Sequence, residues 1–285
     1  MTFFLHKNGH DIYRCPACGL ARTQLEEEYK TFIVDHYSRG YYTGDPAYGA
    51  YASYKEDKPH IVRNMKKFLG SIKKVKPTGR LLDVGCAMGY FVELALSQGY
   101  DAHGFDASAY AVDHAKKALL NGRVQLGDVS SLSYPKKSFD VITMFDVFEH
   151  LGDPAADLAR VRQWLADDGV LVIATGDTQS TAAKLLGRRW TFYIPPQHLF
   201  FFNRKNLTTL LTRQGLEPVS WFRVGKWLSL QYVLHLARTT GESMIARWLY
   251  DLVRLTPLGH LPLYVPMRDN MIVMVRKKNG TPLPV

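Results

Sequence analysis

Short apolar runs alternate with helical stretches between residues 80 and 180. The runs are Leu81–Val84, Tyr100–Phe105, Phe139–Asp146 and Gly169–Gly176. Strands that alternate with helices predict βα units and a parallel sheet, whose strands are apolar on both faces because helices cover both sides. The chain is therefore expected to be an α/β protein with an open sheet at its centre.

An acidic residue lies at the carboxyl end of each of four predicted strands, of which the third ends at Asp128. Asp83, Asp106, Asp128 and Asp146 are separated by 23, 22 and 18 residues, which are the lengths of βα repeats. A single acid at such a position is typical of a helix N-cap or a loop. Four acids in register instead predict a ligand site, since open α/β sheets bind ligands at the carboxyl ends of their strands.

The loop after the first strand limits which classes of ligand could bind. Its sequence is Gly85-Cys86-Ala87-Met88-Gly89, which lacks the G-x-G-x-x-G spacing of dinucleotide sites. Asp106 could accept hydrogen bonds from both hydroxyls of a ribose. A cofactor with a ribose but no pyrophosphate fits this pattern best, and S-adenosylmethionine (SAM) is such a cofactor. Taken by itself, the loop is also consistent with an ordinary Rossmann turn.

With these residues in place, the chain resembles the class I SAM-dependent methyltransferases of the small-molecule type. It is similar to ubiquinone-biosynthesis and polysaccharide or natural-product enzymes over about residues 80–223, with a closing strand near 270–277. The resemblance is carried by DVGCAMG (83–89), GFDAS (104–108), GDVSSL (127–132), FDVITMFDVFEHL (139–151) and GVLVIATG (169–176). It implies a Rossmann-like sheet, mostly parallel with an antiparallel last strand, an N-terminal cap and a helical insertion.

The resemblance also implies roles for individual residues. The first loop would hold the methionine part of SAM, the second acid its ribose, and the third acid its adenine. The family more often has glycine where Ala87 stands, which is a small departure. The cofactor-binding residues expected on this basis are Asp83, Gly85, Cys86, Ala87, Gly89, Asp106, Ala107, Asp128, Val129, Phe145 and Asp146.

Candidate catalytic and substrate residues follow the fourth and fifth strands. His150 and His198 are placed to act as general bases, because an ordinary histidine pKa suits proton abstraction at neutral pH. His150 could instead pack beside the cofactor with Glu149 turned to solvent, and His198 could be a hydrogen-bonded loop residue. Arg189 and Trp190 are candidate contacts for an anionic and a flat or sugar group. A helix is predicted from Asn206 to Gln214, with Asn203 as its N-cap.

Three segments flank the predicted core. Residues 1–30 carry Cys15 and Cys18 in one C-x-x-C-G, which is either half of a zinc site or a turn with two free thiols. Residues 31–79 are rich in tyrosine and predict a helical cap, in which Tyr41 and Tyr42 are candidate substrate contacts. The catalytic domain is expected over 80–285, with an insertion at about 226–265 that could be a lid, a dimer surface, a membrane-interface helix or core.

The charge is unevenly distributed along the chain. Residues 80–180 carry 8 basic and 14 acidic residues, whereas 181–285 carry 15 and 4, within a net charge of +10. The basic surplus suits an anionic acceptor or an acidic membrane surface, or it serves solubility alone. No apolar run is long enough to span a membrane, and the start, Met1 to His10, does not look like a signal peptide, so a cytoplasmic protein is expected.

The function predicted from these features is SAM-dependent methyl transfer to a small-molecule, glycan or lipid-linked acceptor, at oxygen more than at carbon or nitrogen. Nucleic-acid methylation is the alternative enzyme, but the fourth strand lacks the Asn/Asp-Pro-Pro-aromatic turn of the amino-methylating enzymes. A SAM-binding regulatory module is the alternative that is not an enzyme. The sequence leaves the oligomeric state open.

Overall fold

The computed structural model describes residues 1–25, 28–43, 53–119, 122–240 and 244–279. Its strands are β1 (Thr2–Lys7), β2 (His10–Arg14), β3 (Ala21–Thr23), β4 (Gly79–Val84), β5 (Tyr100–Asp106), β6 (Val124–Leu126), β7 (Phe139–Phe145), β8 (Leu165–Gly176), β9 (Phe200–Phe201), β10 (Leu216–Arg223), β11 (Lys226–Ser229), β12 (Pro262–Val265) and β13 (Asn270–Lys277). Its α-helices are α1 (Tyr29–His36), α2 (Arg39–Thr43), α3 (Lys58–Val75), α4 (Tyr90–Ser97), α5 (Ala109–Ala118), α6 (Pro154–Trp164), α7 (Thr181–Leu186), α8 (Arg204–Arg213), α9 (Leu230–Thr240) and α10 (Met244–Val253). Short 3₁₀ turns lie at Phe148–His150, Gly187–Arg189 and Pro257–His260.

A seven-stranded sheet forms the centre of the molecule, in the order β10-β13-β8-β7-β4-β5-β6. Strands β8, β7, β4, β5 and β6 are parallel to one another, whereas β13 runs antiparallel between β8 and β10. This arrangement confirms the predicted Rossmann-like sheet with an antiparallel last strand. The chain leaves β4 for β5 and β6 on one side and returns to β7 on the other, so the strand order reverses beside the end of β4.

Successive residues of each central strand enter two different hydrophobic cores, because side chains alternate across a sheet. Leu81 packs in the core that includes Ile72 of α3 and Phe91 of α4. Leu82 packs on the opposite face, in the core with Trp164 of α6 and Leu207 of α8. Both leucines are fully buried, so the sheet is covered on both faces, as its uniformly apolar strands predicted.

Several predicted boundaries agree closely with the structure. The closing strand predicted at 270–277 is β13, and the helix predicted after Asn203 is α8. The Asn203 side chain accepts a hydrogen bond from the backbone N–H of Asn206, whose own side chain accepts one from the backbone of Asn203. This reciprocal capping box fixes the start of α8.

The N-terminal segment differs from its sequence interpretation. It forms strands β1, β2 and β3, and β3 pairs with β9, which lies almost 180 residues later in the chain. Trp190 fills the small core beneath this sheet together with Leu5, Ile12 and Phe201. Residues 1–30 are thus tied into the segment that follows β8, and the alternation of their side chains was too short to reveal these strands.

The segment predicted as a helical insertion contains α9 and α10 and also a two-stranded sheet of β11 and β12. It is joined to helix α3, because the Asn64 side chain donates to the carbonyl of Trp227 and accepts from its N–H, both at 2.8 Å. The Ser229 hydroxyl also donates to Asp57 Oδ1 at 2.7 Å. The insertion and the N-terminal cap therefore pack as one wall.

No helix within the described residues combines the length and the apolar character that crossing a bilayer requires.

Two glycines test the packing of the central sheet. A Cβ at Gly104 of β5 would lie 2.8 Å from Cys86 Cβ and 2.9 Å from Val92 Cγ2, whereas a Cβ at Gly70 of α3 would meet nothing within 4 Å. We expect Gly104→Ala to lower the free energy of unfolding by roughly 1–3 kcal/mol through overpacking. Gly70→Ala should raise it by roughly 0.5–1 kcal/mol, because alanine is the better helix former. Urea unfolding measures both, and a shift in the same direction for both variants would contradict this packing.

Candidate functional site

A cavity of about 410 Å³ lies at the carboxyl ends of β4, β5 and β7. The sheet forms one side of it, the N-terminal cap a second, and the insertion a third. Ligand sites of open α/β sheets are expected at this place, where the strand order reverses. Eight of the predicted cofactor residues line the cavity: Gly85, Ala87, Asp106, Ala107, Asp128, Val129, Phe145 and Asp146.

Asp106, at the end of β5, is tied to the loop that follows β4. Its Oδ2 accepts a hydrogen bond from the backbone N–H of Ala87, and its Oδ1 accepts one from Ser108, both at 2.8 Å. Burial raises the pKa of the Asp106 carboxyl above its ordinary value. The two N–H groups fix the orientation of the carboxylate, which lines the cavity and has further lone pairs that could accept from a diol.

The loop after β4 approaches the segment that follows β7 too closely for a side chain at Gly85. Gly85 has a φ of +70°, and a Cβ there would overlap the side chain of Val147. Ala87 also has a positive φ, +46°, although it is not glycine. The hydrogen bond from its N–H to Asp106 holds this conformation, which explains how alanine is accommodated where the family more often has glycine.

Three predicted cofactor residues lie behind the cavity wall instead of on it. Asp83 is buried and its Oδ1 accepts from Thr143 Oγ1 at 2.6 Å, and burial raises its pKa to about 7. Cys86 is buried against Gly104, and Gly89 caps the N-terminus of α4. These three residues pack in or beside the loop without lining the cavity. Because they belong to the same motif as Gly85 and Ala87, the sequence alone could not distinguish the two positions.

Asp128 lies two residues beyond β6 and holds the turn that follows. Its Oδ1 accepts from the Ser130 hydroxyl and from the backbone N–H of Ser131, both at 2.7 Å. Burial raises the pKa of this carboxyl, but the hydrogen bonds from Ser130 and Ser131 outweigh burial and leave the pKa below its ordinary value. Asp128 is therefore a carboxylate at neutral pH, able to accept from a donor in the cavity.

Asp146 at the end of β7 is paired with a lysine that the sequence did not indicate. Its Oδ2 lies 3.2 Å from Lys226 Nζ, and its Oδ1 accepts from Asn270 Nδ2 at 2.7 Å. Burial lowers the pKa of Lys226, but the attraction of Asp146 and Asp269 outweighs it, so the pKa is raised and the lysine stays cationic. Lys226 comes from the insertion, where no motif marks it.

Both predicted histidines face the cavity and touch each other, with ring centroids 4.8 Å apart. His150 Nδ1 lies 2.6 Å from the carbonyl oxygen of Gln197, and His198 Nδ1 lies 2.6 Å from that of Phe192. A carbonyl only accepts, so each Nδ1 carries the proton and each Nε2 is the basic nitrogen. Burial lowers the pKa of His150 and lowers that of His198 well below the ordinary value, so both rings are neutral at pH 7.

Glu149 lies beside the two histidines and is buried, which excludes the alternative in which it turns to solvent. It is fully buried, and its Oε2 accepts from Thr175 Oγ1 at 2.7 Å. Burial, with the nearby charge of Asp146, raises its pKa to about 8. Among the residues that the structure describes, Glu149, His150 and His198 are the only group of three potential metal ligands, all within 4.8 Å of one another.

Tyrosines of the N-terminal cap close the side of the cavity opposite the sheet. Tyr41 and Tyr42 both line it, and their contact with a substrate stays a prediction. Tyr37, which the sequence did not single out as a site residue, places its hydroxyl 2.7 Å from His150 Nδ1. Its carbonyl accepts from the Ser108 hydroxyl, next to Asp106. Tyr37 thus links the predicted catalytic side of the cavity to the predicted cofactor side. Two further tyrosines of the cap, Tyr48 and Tyr51, lie outside the described residues.

Arg189 and Trp190 are not on the cavity wall, which corrects their assignment as direct substrate contacts. Trp190 is fully buried in the core beneath the N-terminal sheet, and its Nε1 donates to Asp269 Oδ2 at 2.9 Å. Arg189 is exposed in a 3₁₀ turn. The following residues Thr191, Phe192 and Ile194 line the cavity instead.

Cys15 and Cys18 form the turn between β2 and β3 and are both free thiols. The carbonyl of Cys15 accepts from the N–H of Gly19, which closes the turn. Neither cysteine belongs to the group of potential metal ligands found among the described residues. A zinc site at this turn is therefore not supported.

The known proteins to which the chain is similar include several methyltransferases. A family model described as a methyltransferase domain matches residues 54–220. A ubiquinone biosynthesis O-methyltransferase from Cereibacter sphaeroides is 28% identical over 187 residues, 56% of this chain and 74% of that protein. A phosphoethanolamine N-methyltransferase from Triticum aestivum is 29% identical over 119 residues, 40% of this chain and 23% of that protein.

A solved SAM-dependent methyltransferase from Archaeoglobus fulgidus shares the fold, with a TM-score of 0.52 and 19% identity. The match covers 77% of this chain and 94% of that one. The family model spans more than half of the chain and includes the strand ends that carry Asp106, Asp128 and Asp146. The chain therefore belongs to the methyltransferase domain family and is a SAM-dependent methyltransferase.

Proposed function

We propose that this protein transfers a methyl group from SAM to an oxygen atom of a small, largely apolar acceptor, with His150 or His198 as the general base. One observation carries the proposal: two neutral histidines with basic Nε2 atoms line the same cavity as the carboxylate of Asp106. An oxygen acceptor loses a proton when it is methylated, so a base beside the methyl donor suits this reaction. The relative named as an O-methyltransferase supports the same acceptor atom.

The strand ends are suited to hold the cofactor. Asp106 would accept from the ribose hydroxyls, Asp128 from the adenine amino group, and the loop with Gly85 and Ala87 would lie against the methionine part. The polar atoms at these positions are already oriented by backbone hydrogen bonds, so little reorganisation is needed on binding. When bound, SAM supplies an electrophilic methyl group on a sulfonium.

The walls of the remaining space suggest the acceptor. They include Ile61, Met65, Phe192, Trp227 and Tyr232, which offer aromatic and aliphatic surface. Lys226 is the cation that faces this space from the insertion, and it stays charged beside Asp146. An apolar ring or chain that carries an ionisable hydroxyl or another anionic group would match these walls and this lysine.

The proton would leave the acceptor through the histidine pair. Because both Nδ1–H groups are held by carbonyl oxygens, the rings cannot turn freely, and each Nε2 keeps a defined direction. Glu149 has a raised pKa and is protonated at neutral pH, so it adds no negative charge beside the base. Water exclusion by the tyrosine cap would keep the reactive methyl group from hydrolysis.

The ribose assignment is tested by Asp106→Ala. We expect the dissociation constant for SAM to rise at least about tenfold, because hydrogen bonds to a charged group contribute roughly 1.5–3 kcal/mol. Isothermal titration calorimetry measures it. Asp101→Ala is the matched control, since Asp101 is an exposed acid on the same strand. Unchanged affinity in a folded Asp106→Ala protein would remove the assignment.

The base is tested by His198→Asn and His150→Asn. We expect SAM affinity to persist and kcat to fall by about 10²–10⁴ in at least one variant. Burial lowers both histidine pKa values, so the neutral, active form survives below the ordinary value of 6.5, and the acid limb of kcat/KM should have its midpoint under pH 6.5. His6→Asn, at an exposed position, is the control. Full activity in both variants would exclude a histidine base.

Assays with a chelator separate proton transfer from metal binding at the same residues. A base needs no ion, so we expect the rate to be unchanged in excess EDTA. A rate that falls with EDTA and returns with a divalent cation would instead make Glu149, His150 and His198 metal ligands.

The role of Lys226 is tested by Lys226→Met, which keeps an unbranched side chain that is one atom shorter and removes its charge. We expect the KM for the acceptor to rise by about tenfold or more, while the dissociation constant for SAM changes little. Steady-state kinetics with any accepted substrate measures this. Lys137→Met, at an exposed position far along the chain, is the control. An unchanged KM would remove Lys226 from the acceptor site.

A further inference from the structure

Helix α10 has an apolar stripe on each of two faces, and only one of them is covered. Ala246, Tyr250 and Val253 are buried. Their cover includes α9, where Arg238 lies over the Tyr250 ring at 3.8 Å. The other stripe consists of Ile245, Trp248 and Leu252, which are 73%, 67% and 56% exposed, and Leu255, two residues beyond the helix, is 83% exposed. Residues spaced three and four apart share one side of a helix, so the three helical side chains form one surface, which Leu255 follows.

Neighbouring side chains extend this surface. Met244 precedes the stripe and is 81% exposed, and Leu258 lies in the 3₁₀ turn packed against α10 and is 55% exposed. We call these six residues the α10 surface: Met244, Ile245, Trp248, Leu252, Leu255 and Leu258. Single exposed apolar residues are common, but a contiguous group of this kind marks a contact surface.

Positive charge accompanies the α10 surface. Arg247 of α10 is exposed, as is Arg254 directly after the helix, and Asp251, the acid between them, is paired with Arg254. The nearby sheet of β11 and β12 is flanked by the basic face of α3, where Arg63 lies over Trp227 and Lys67 over Tyr264. Large apolar side chains with arginine beside them are the pattern of helices that lie in a membrane interface.

We propose that the α10 surface docks on an anionic phospholipid bilayer. Charge decides between a bilayer and a second copy of the chain. A symmetric dimer through this surface would bring the arginines of each copy towards those of the other, whereas lipid phosphates would neutralise them. Trp248 at the middle of the stripe also suits the headgroup region, where its ring is buried while its N–H remains hydrated.

The docking surface and the acceptor cavity are built from the same segment. Tyr232 and Leu236 of α9 line the cavity, and α10 packs against α9. Met267, just beyond β12, lines the cavity and is 37% exposed. A membrane-borne amphiphilic acceptor could therefore reach the site from the docked face, a consequence that rests on the proposed function.

Vesicle sedimentation with the full chain tests the docking. We expect it to sediment with phosphatidylcholine vesicles that contain phosphatidylglycerol, less with phosphatidylcholine alone, and less in high salt. The variant Trp248→Glu/Leu252→Glu should lower the partition coefficient at least about tenfold. Leu185→Glu is the matched control, because Leu185 is 82% exposed but lies on α7. Arg247→Glu should weaken binding to the anionic vesicles selectively.

The outcomes separate the alternatives. No sedimentation with anionic vesicles, or equal loss for Leu185→Glu, would overturn the proposal. A dimer in light scattering that Trp248→Glu/Leu252→Glu dissociates, without vesicle binding, would show that a second copy covers the surface and would also overturn it. SAM affinity by calorimetry should be the same in all these variants, so failure of docking is distinguishable from failure of the proposed methyl transfer.

Discussion

The convergence of parallel strand ends on one loop is the constraint on which the site depends. Asp106 ends β5, yet its carboxylate accepts the N–H of Ala87 in the loop after β4 and the N–H of Ser108 at the start of α5. Three segments are thereby fixed relative to one carboxylate. Gly85 allows the same loop to lie against Val147, which follows β7. These close approaches bring the strand ends together on one wall of the cavity.

Burial then sets the charge of the groups around this space. Asp83 behind the wall and Glu149 beside the histidines have pKa values raised to about 7 and about 8 because both lose water, while the same loss lowers the pKa values of His150 and His198. Glu149 and the two histidines are therefore mostly neutral at pH 7. Charge on the cavity wall is carried by residues that include Asp106, Asp128 and the pair of Asp146 with Lys226.

The sequence predicted what repeats along the chain. Four acids at βα spacing located the strand ends, and β13 and α8 were found at their observed positions because each has a strong local pattern. Contacts between distant segments could not be predicted in this way. No local pattern predicts that Trp190 is buried. It is buried in the core beneath the sheet in which β3 pairs with β9. Lys226 reaches Asp146 across 80 residues, and no motif records that approach.

The wall proposed for the acceptor comes from segments other than the strand ends proposed to hold the cofactor. The matched family model ends at residue 220, before Lys226, Trp227 and Tyr232. These residues are held against the cap by the paired hydrogen bonds of Asn64 with Trp227 and by the bond from Ser229 to Asp57. Because two segments more than 160 residues apart form this wall together, a change in either one reshapes the acceptor space while the bonds of Asp106 stay intact. Acceptor choice can thus change without loss of the cofactor site.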